Sequence, residues 1–168
     1  MKRILSVIMC AVILCGVLAA CGKKTEAAPL TEVYAALEEV TNMPQLDVMP
    51  DALIETLFGF DLSQFEEYVF AEAADPAVYA DTVIIVKLAE GADLNSVCST
   101  LDGYLSGIKE NTRSYSPENY AKTEKSSVTV VGDYVYFIVT EQYDQAVQIV
   151  SDALSGSNTD SAATAIEE

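Results

Sequence analysis

TVIIVKL, residues 82–88, is a nearly unbroken apolar run rich in β-branched side chains, with its one charge at Lys87. A strand with one wet face alternates apolar and polar residues, so a run without alternation belongs to a strand covered on both faces. The stretch is therefore expected at the centre of a sheet. Upstream, residues 67–73 read as a second strand, with Asp75-Pro76 marking a turn between the two. Downstream, Leu94, Val97, Cys98, Leu101, Leu105 and Ile108 recur at helical spacing, and Asp93 stands where it can cap the helix. Residues 127–131 and 134–140 are two further β-rich runs. Gly132-Asp133 between them suits a type II′ hairpin, because glycine accepts the positive φ of its first position. A closing helix over 143–154 offers Ala146, Val147, Val150 and Leu154 to the core.

Two short helices precede the strands. Thr31 is placed to cap a helix over 32–40, with Val33, Leu37 and Val40 on one side, and Asn42-Met43-Pro44 ends it. Residues 50–58 fit a second helix with proline in its first turn, a stripe of Leu53, Ile54, Leu57 and Phe58, and Gly59 as a left-handed stop. The expected order is ααββαββα. Its simplest packing is an α+β fold, a four-stranded, mainly antiparallel sheet with helices packed mainly on one face.

The chain begins with Lys2 and Arg3, followed by an uncharged apolar run over 4–18. That layout is the grammar of an export signal, and the run is shorter than the about 20 residues of a membrane-spanning helix. Leu18-Ala19-Ala20-Cys21 closes the run and resembles the lipobox of bacterial lipoproteins, which implies a leader over 1–20 and acylation of the Cys21 sulfur. Two acyl chains on one residue give durable membrane attachment where a single chain does not. Residues 21–29 read as the lipidated cysteine and a tether, whose flexible part spans roughly 16 Å. One domain over 30–154 and a polar, disordered tail over 155–168 complete the expected organisation. Cys10 and Cys15 would leave with the leader, so Cys98 is the remaining thiol and no internal disulfide is expected.

The formal net charge is −17, and past residue 20 seven basic residues face 26 acidic ones. Nucleic acid is excluded as a partner, because its phosphates require clustered Lys and Arg. The sequence contains no histidine, which removes Ser-His-Asp and Cys-His catalysis and the usual histidine zinc sites. Past the leader there is no CxxC, GxSxG or P-loop pattern. No catalytic residue, metal site or cofactor is assigned. Glu38-Glu39 and Glu66-Glu67 are adjacent in sequence and point apart, whereas paired-acid hydrolysis needs two carboxyl groups facing across a cleft. Cys98 falls on the apolar stripe and reads as a core residue.

RSYSPENY, residues 113–120, is the most distinctive loop. Architecturally, Ser116 caps a short helix that Pro117 opens, and the two tyrosines lay their rings against the sheet. Functionally, Arg113, Tyr115 and Tyr120 are the candidate binding residues, since aromatic and Arg side chains anchor interfaces. Taken together, ADTVIIVKL (80–88), the long helix after it, RSYSPENY (113–120), SSVTVVGDYVYFIVT (126–140) and FGFDLSQFEEY (58–68) resemble the DUF4358 family of lipoproteins from mainly Gram-positive bacteria. The resemblance implies an exported, anchored α+β domain and transfers no catalytic residue. The expected role is a non-enzymatic binding module, held by its lipid anchor on the outer face of the cytoplasmic membrane, with an envelope protein or polymer as partner. The alternatives are a carboxylate-dependent hydrolase of envelope polymers and a small-solute binding protein. One small domain lacks the two lobes with which solute-binding proteins usually close.

Overall fold

The structure, a computed structural model, describes residues 27–155. Cys21, the expected leader and residues 156–168 of the expected tail lie outside them. The elements in chain order are α1 (Leu30–Val40), β1 (Leu46–Val48), α2 (Asp51–Phe58), a short 3-10 turn (Leu62–Gln64), β2 (Phe65–Ala73) and β3 (Thr82–Leu88). They continue with α3 (Leu94–Tyr115), α4 (Pro117–Lys125), β4 (Thr129–Val131), β5 (Tyr134–Val139) and α5 (Tyr143–Ser155). The fold is α+β.

The sheet has five antiparallel strands in the order β1-β2-β3-β5-β4. TVIIVKL is its central strand, and Val83, Ile84, Ile85 and Val86 are fully enclosed. Full burial of each such side chain contributes about 1.5–3 kcal/mol. Val83 and Ile85 face one core with α1 and α5, while Ile84 and Val86 face a second with α2 and α3. Helices therefore cover both faces of the sheet, which corrects the expectation of helices packed mainly on one face. The cause lies in the central strands: β3 and β5 are apolar on alternate residues in both directions, so each face needs its own helical layer.

The expected four strands become five because β1 is added between the first two helices. Three residues are too few to show a period, and the strand exists through its pairing with β2, Leu46 opposite Ala73 and Val48 opposite Ala71. β2 begins at Phe65, earlier than expected, with a register shift between Phe65 and Glu67 of the kind a β-bulge makes; Glu66 within it pairs with Lys87 at 2.6 Å. α1 starts at Leu30, so Thr31 lies inside the helix instead of capping it. The Leu30 amide donates to Glu67 Oε2 at 2.9 Å, satisfying one free N–H from the sheet side. In α2, Ile54 and Phe58 enter the core, but Leu53 and Leu57 are exposed, because this two-turn helix turns only one narrow side inward. Gly59 ends it at φ 69°, as its position after Phe58 suggests. Gly132, at φ 58°, opens the β4–β5 hairpin.

Asp93 caps α3 through its carboxylate, which accepts from the Ser96 amide at 3.1 Å. The helix runs seven residues past Ile108 to Tyr115, farther than its apolar stripe indicates. α4 holds that extension: Thr112 Oγ1 and Thr123 Oγ1 meet at 3.2 Å, and Lys109 Nζ donates to the Ser126 carbonyl at 2.7 Å. Among the described residues no helix is long and apolar enough to cross a membrane.

A groove between the β2–β3 loop and the long helix

Beyond β2 the chain loops over 74–81 and returns into β3. The Asp75 carbonyl accepts from the Val78 and Tyr79 amides at 3.1 and 3.0 Å, so Asp75-Pro76 does form the expected turn. Two side chains of α4 fasten this loop. Asn119 Nδ2 donates to the Val78 carbonyl at 2.8 Å, and Lys122 Nζ sits 2.9 Å from Asp81 Oδ2. The Asp81 side chain is 2% exposed and that of Lys122 16%, so the pair is sheltered from solvent screening.

The fastened loop does not close onto α3. Between them runs a cavity of about 410 Å³, lined by Glu72, Tyr79, Asp81, Tyr104, Asn111 and the two glycines Gly103 and Gly107, among others. A second hollow of about 210 Å³ shares Pro76, Tyr79, Ala80, Asn111 and Thr112 with it and extends the groove to Tyr115 and Ser116. The opening has a local cause. A methyl group placed on Gly103 or Gly107 would meet no atom within 4 Å, so both glycines border free space and neither serves a tight helix contact.

Tyr104 joins the groove to the core. Its ring lies 4.7 Å from that of Phe58 and 6.4 Å from that of Phe137, while its hydroxyl reaches Glu72 Oε2 at 3.3 Å. That distance is long for a hydroxyl donor, so the carboxylate is held loosely. Burial, with the Glu72 carboxylate beside it, pushes the Tyr104 hydroxyl well above its ordinary value, and it stays a proton donor. Glu72 stands on the α3 side of β2, two residues beyond Phe70, where the apolar row of that face turns polar.

The residues singled out in RSYSPENY divide. Arg113 lies 5.8 Å over the Tyr120 ring, within cation–π range, and the Tyr120 hydroxyl donates to Glu124 at 3.4 Å. These two are engaged with each other, and neither lines the main cavity. Tyr115, the last residue of α3, is 85% exposed at the outer end of the groove and lays no ring against the sheet. Ser116 occupies the position before α4, yet its side chain caps nothing; its backbone amide instead closes α3 onto the Thr112 carbonyl at 2.7 Å. Glu72, Tyr104, Gly103 and Gly107 were not singled out from sequence. The signal for two of them was visible, since glycines four residues apart inside a helix weaken it unless some packing or functional need keeps them.

Three of the four adjacent carboxylates have structural partners. Glu38 accepts from the Tyr34 hydroxyl at 3.0 Å, Glu66 pairs with Lys87, and Glu67 accepts from the Leu30 amide. Cys98 is half-buried against the α2–α3 core, and burial followed by the nearby Asp102 charge raises its thiol. Among the described residues no three His, Cys, Asp or Glu side chains group as metal ligands do.

A family model for a domain of unknown function, DUF4358, matches residues 36–140. The chain belongs to the DUF4358 family. The matched region of this DUF4358 domain contains all five strands and every groove residue named above. No curated protein and no solved structure matches the chain.

Proposed function

We propose that this DUF4358 chain is a lipid-anchored, non-enzymatic binding module of the bacterial cell envelope. Cys21 holds it at the outer face of the cytoplasmic membrane, and its groove takes an envelope component. The observation that carries the reading is the groove floor. A helix interior loses about 0.5–1 kcal/mol at each glycine relative to alanine, and Gly103 and Gly107 border free space instead of a tight contact. A cost of that kind in α3 makes sense when the space itself is used. The anchor is supported by the charged start, the apolar run and Leu-Ala-Ala-Cys at 18–21.

Crosslinking in the native membrane tests both parts. A photoreactive residue at Asn111 should capture a discrete neighbour that the same residue at Glu39 does not, and identical products from both positions would remove the groove as the site. Labelled fatty acid should enter the wild-type protein and be absent from Cys21→Ala; equal labelling would remove the anchor.

A hydrolytic reading has one observation in its favour, since Glu72 and Asp81 line the same cavity. Asp81 is, however, committed to Lys122 and nearly enclosed. That leaves Glu72 as the one carboxylate lining the cavity without a basic partner among the described residues, whereas paired-acid hydrolysis needs two.

A further inference from the structure

The charges around the groove are of one sign. Glu72 and Asp81 are the charged residues lining the cavity, and Lys122 already neutralises Asp81. Asp47 is the cross-strand partner of Glu72 in the β1–β2 register. Like charges placed directly opposite each other on neighbouring strands destabilise the pair. Among the described residues the ion pairs are Lys87–Glu66 and Lys122–Asp81, so neither Glu72 nor Asp47 has a basic partner. Tyr104 engages one oxygen of Glu72, which leaves the other as an acceptor. Beside this carboxylate lie the glycine floor, Ile108 and the edge of Tyr104, an uncharged surface suited to the body of a small molecule. A volume of about 410 Å³ falls within the range of small-ligand pockets.

We infer that the groove is a site for an ammonium group carried on a short alkyl or sugar body. Glu72 is its carboxylate partner, Asp47 the supporting charge, and Gly103 with Gly107 the floor that admits the body. The inference deepens the groove reading above and rests on it. An anion is repelled here, and a neutral ligand strips water from Glu72 without supplying a counter-charge. An ammonium group supplies one, relieves the opposition of Asp47 and Glu72, and is drawn by the net charge of −17.

The test is a titration of the isotope-labelled full chain, in non-ionic detergent at constant ionic strength, followed by amide resonances. Butylamine is paired with butanol, and glucosamine with glucose, so that each amine has a neutral counterpart with the same kind of body. The amines should give saturable shifts at Gly103 and Gly107, and the neutral compounds none. Preference for butylamine over glucosamine, or the reverse, identifies the body. Glu72→Gln should weaken the amines about tenfold or more, Gly107→Leu should block them by filling the floor, and Glu39→Gln should change nothing. Butanol or glucose binding as well as its amine would overturn the ammonium assignment while leaving the groove a site. Amine shifts scattered over the acidic surface, or no shift at Gly103 and Gly107, would also overturn it. The Asn111 crosslink then decides separately whether the groove binds anything.

Discussion

Replacing Gly103 and Gly107 by alanine, singly and together, should make the protein more stable. Both positions lie inside the 22-residue helix α3, and neither has the positive φ that would strain an alanine. A built Cβ meets nothing within 4 Å, so no steric penalty opposes the change. What remains is the backbone entropy that glycine loses on entering a helix, about 0.5–1 kcal/mol per site, or about 1–2 kcal/mol for the pair. With a urea dependence of about 1–3 kcal/mol/M, the double variant should unfold roughly 0.5–1 M later by far-ultraviolet circular dichroism. The sites are one helical turn apart, so the double variant is compared with the sum of the two single ones. An unchanged or lowered midpoint would refute the reasoning, because it would mean that the glycines serve the fold. Both glycines line the groove, so the stabilised protein should bind butylamine more weakly than wild type.

Two further outcomes test the walls of the groove. Lys122→Met leaves the Asp81 carboxylate enclosed without its partner and should cost about 3 kcal/mol; adding Asp81→Asn should restore much of that loss in urea denaturation, whereas additive losses would show that the pair is not coupled. Tyr104 bears on alkaline stability through its raised hydroxyl. Below the unfolded value of about pH 10 its contribution is complete, and above it the unfolded chain releases a proton that the folded chain keeps, so stability falls as pH rises. Tyr34, Tyr134 and Tyr136 are raised by burial as well. Tyr104→Phe should therefore flatten the alkaline fall in urea midpoint without removing it, and an unchanged slope would contradict the shift.

How much of this was legible in the sequence depends on the range of the interaction that decides each feature. TVIIVKL announced a strand covered on both faces, and the structure places it at the sheet centre. A single helical layer was inconsistent with that same reading, because a strand apolar on both sides needs two. β1 escaped because Leu46–Val48 has no period of its own and is defined by its neighbour. The last turns of α3 escaped because polar contacts with α4 hold them, and a search for an apolar stripe does not register such contacts. The groove is less legible still. Gly103 and Gly107 mark a small-residue stripe, but which side of it stays open depends on how α4 fastens the 74–81 loop. Glu72 gains its meaning from register, which brings it opposite Asp47 and within reach of Tyr104. By contrast, Arg113 and Tyr120, conspicuous as a motif, mainly satisfy each other.

The helices at the two ends of the described chain, α1 and α5, share one core layer, and the groove belongs to the opposite layer with α3. A surface linkage made through an exposed residue of α1, such as Glu39, thus engages the layer of the sheet opposite the groove. The groove layer then faces away from the support, so protein immobilised in that way should give the same amine titration as free protein.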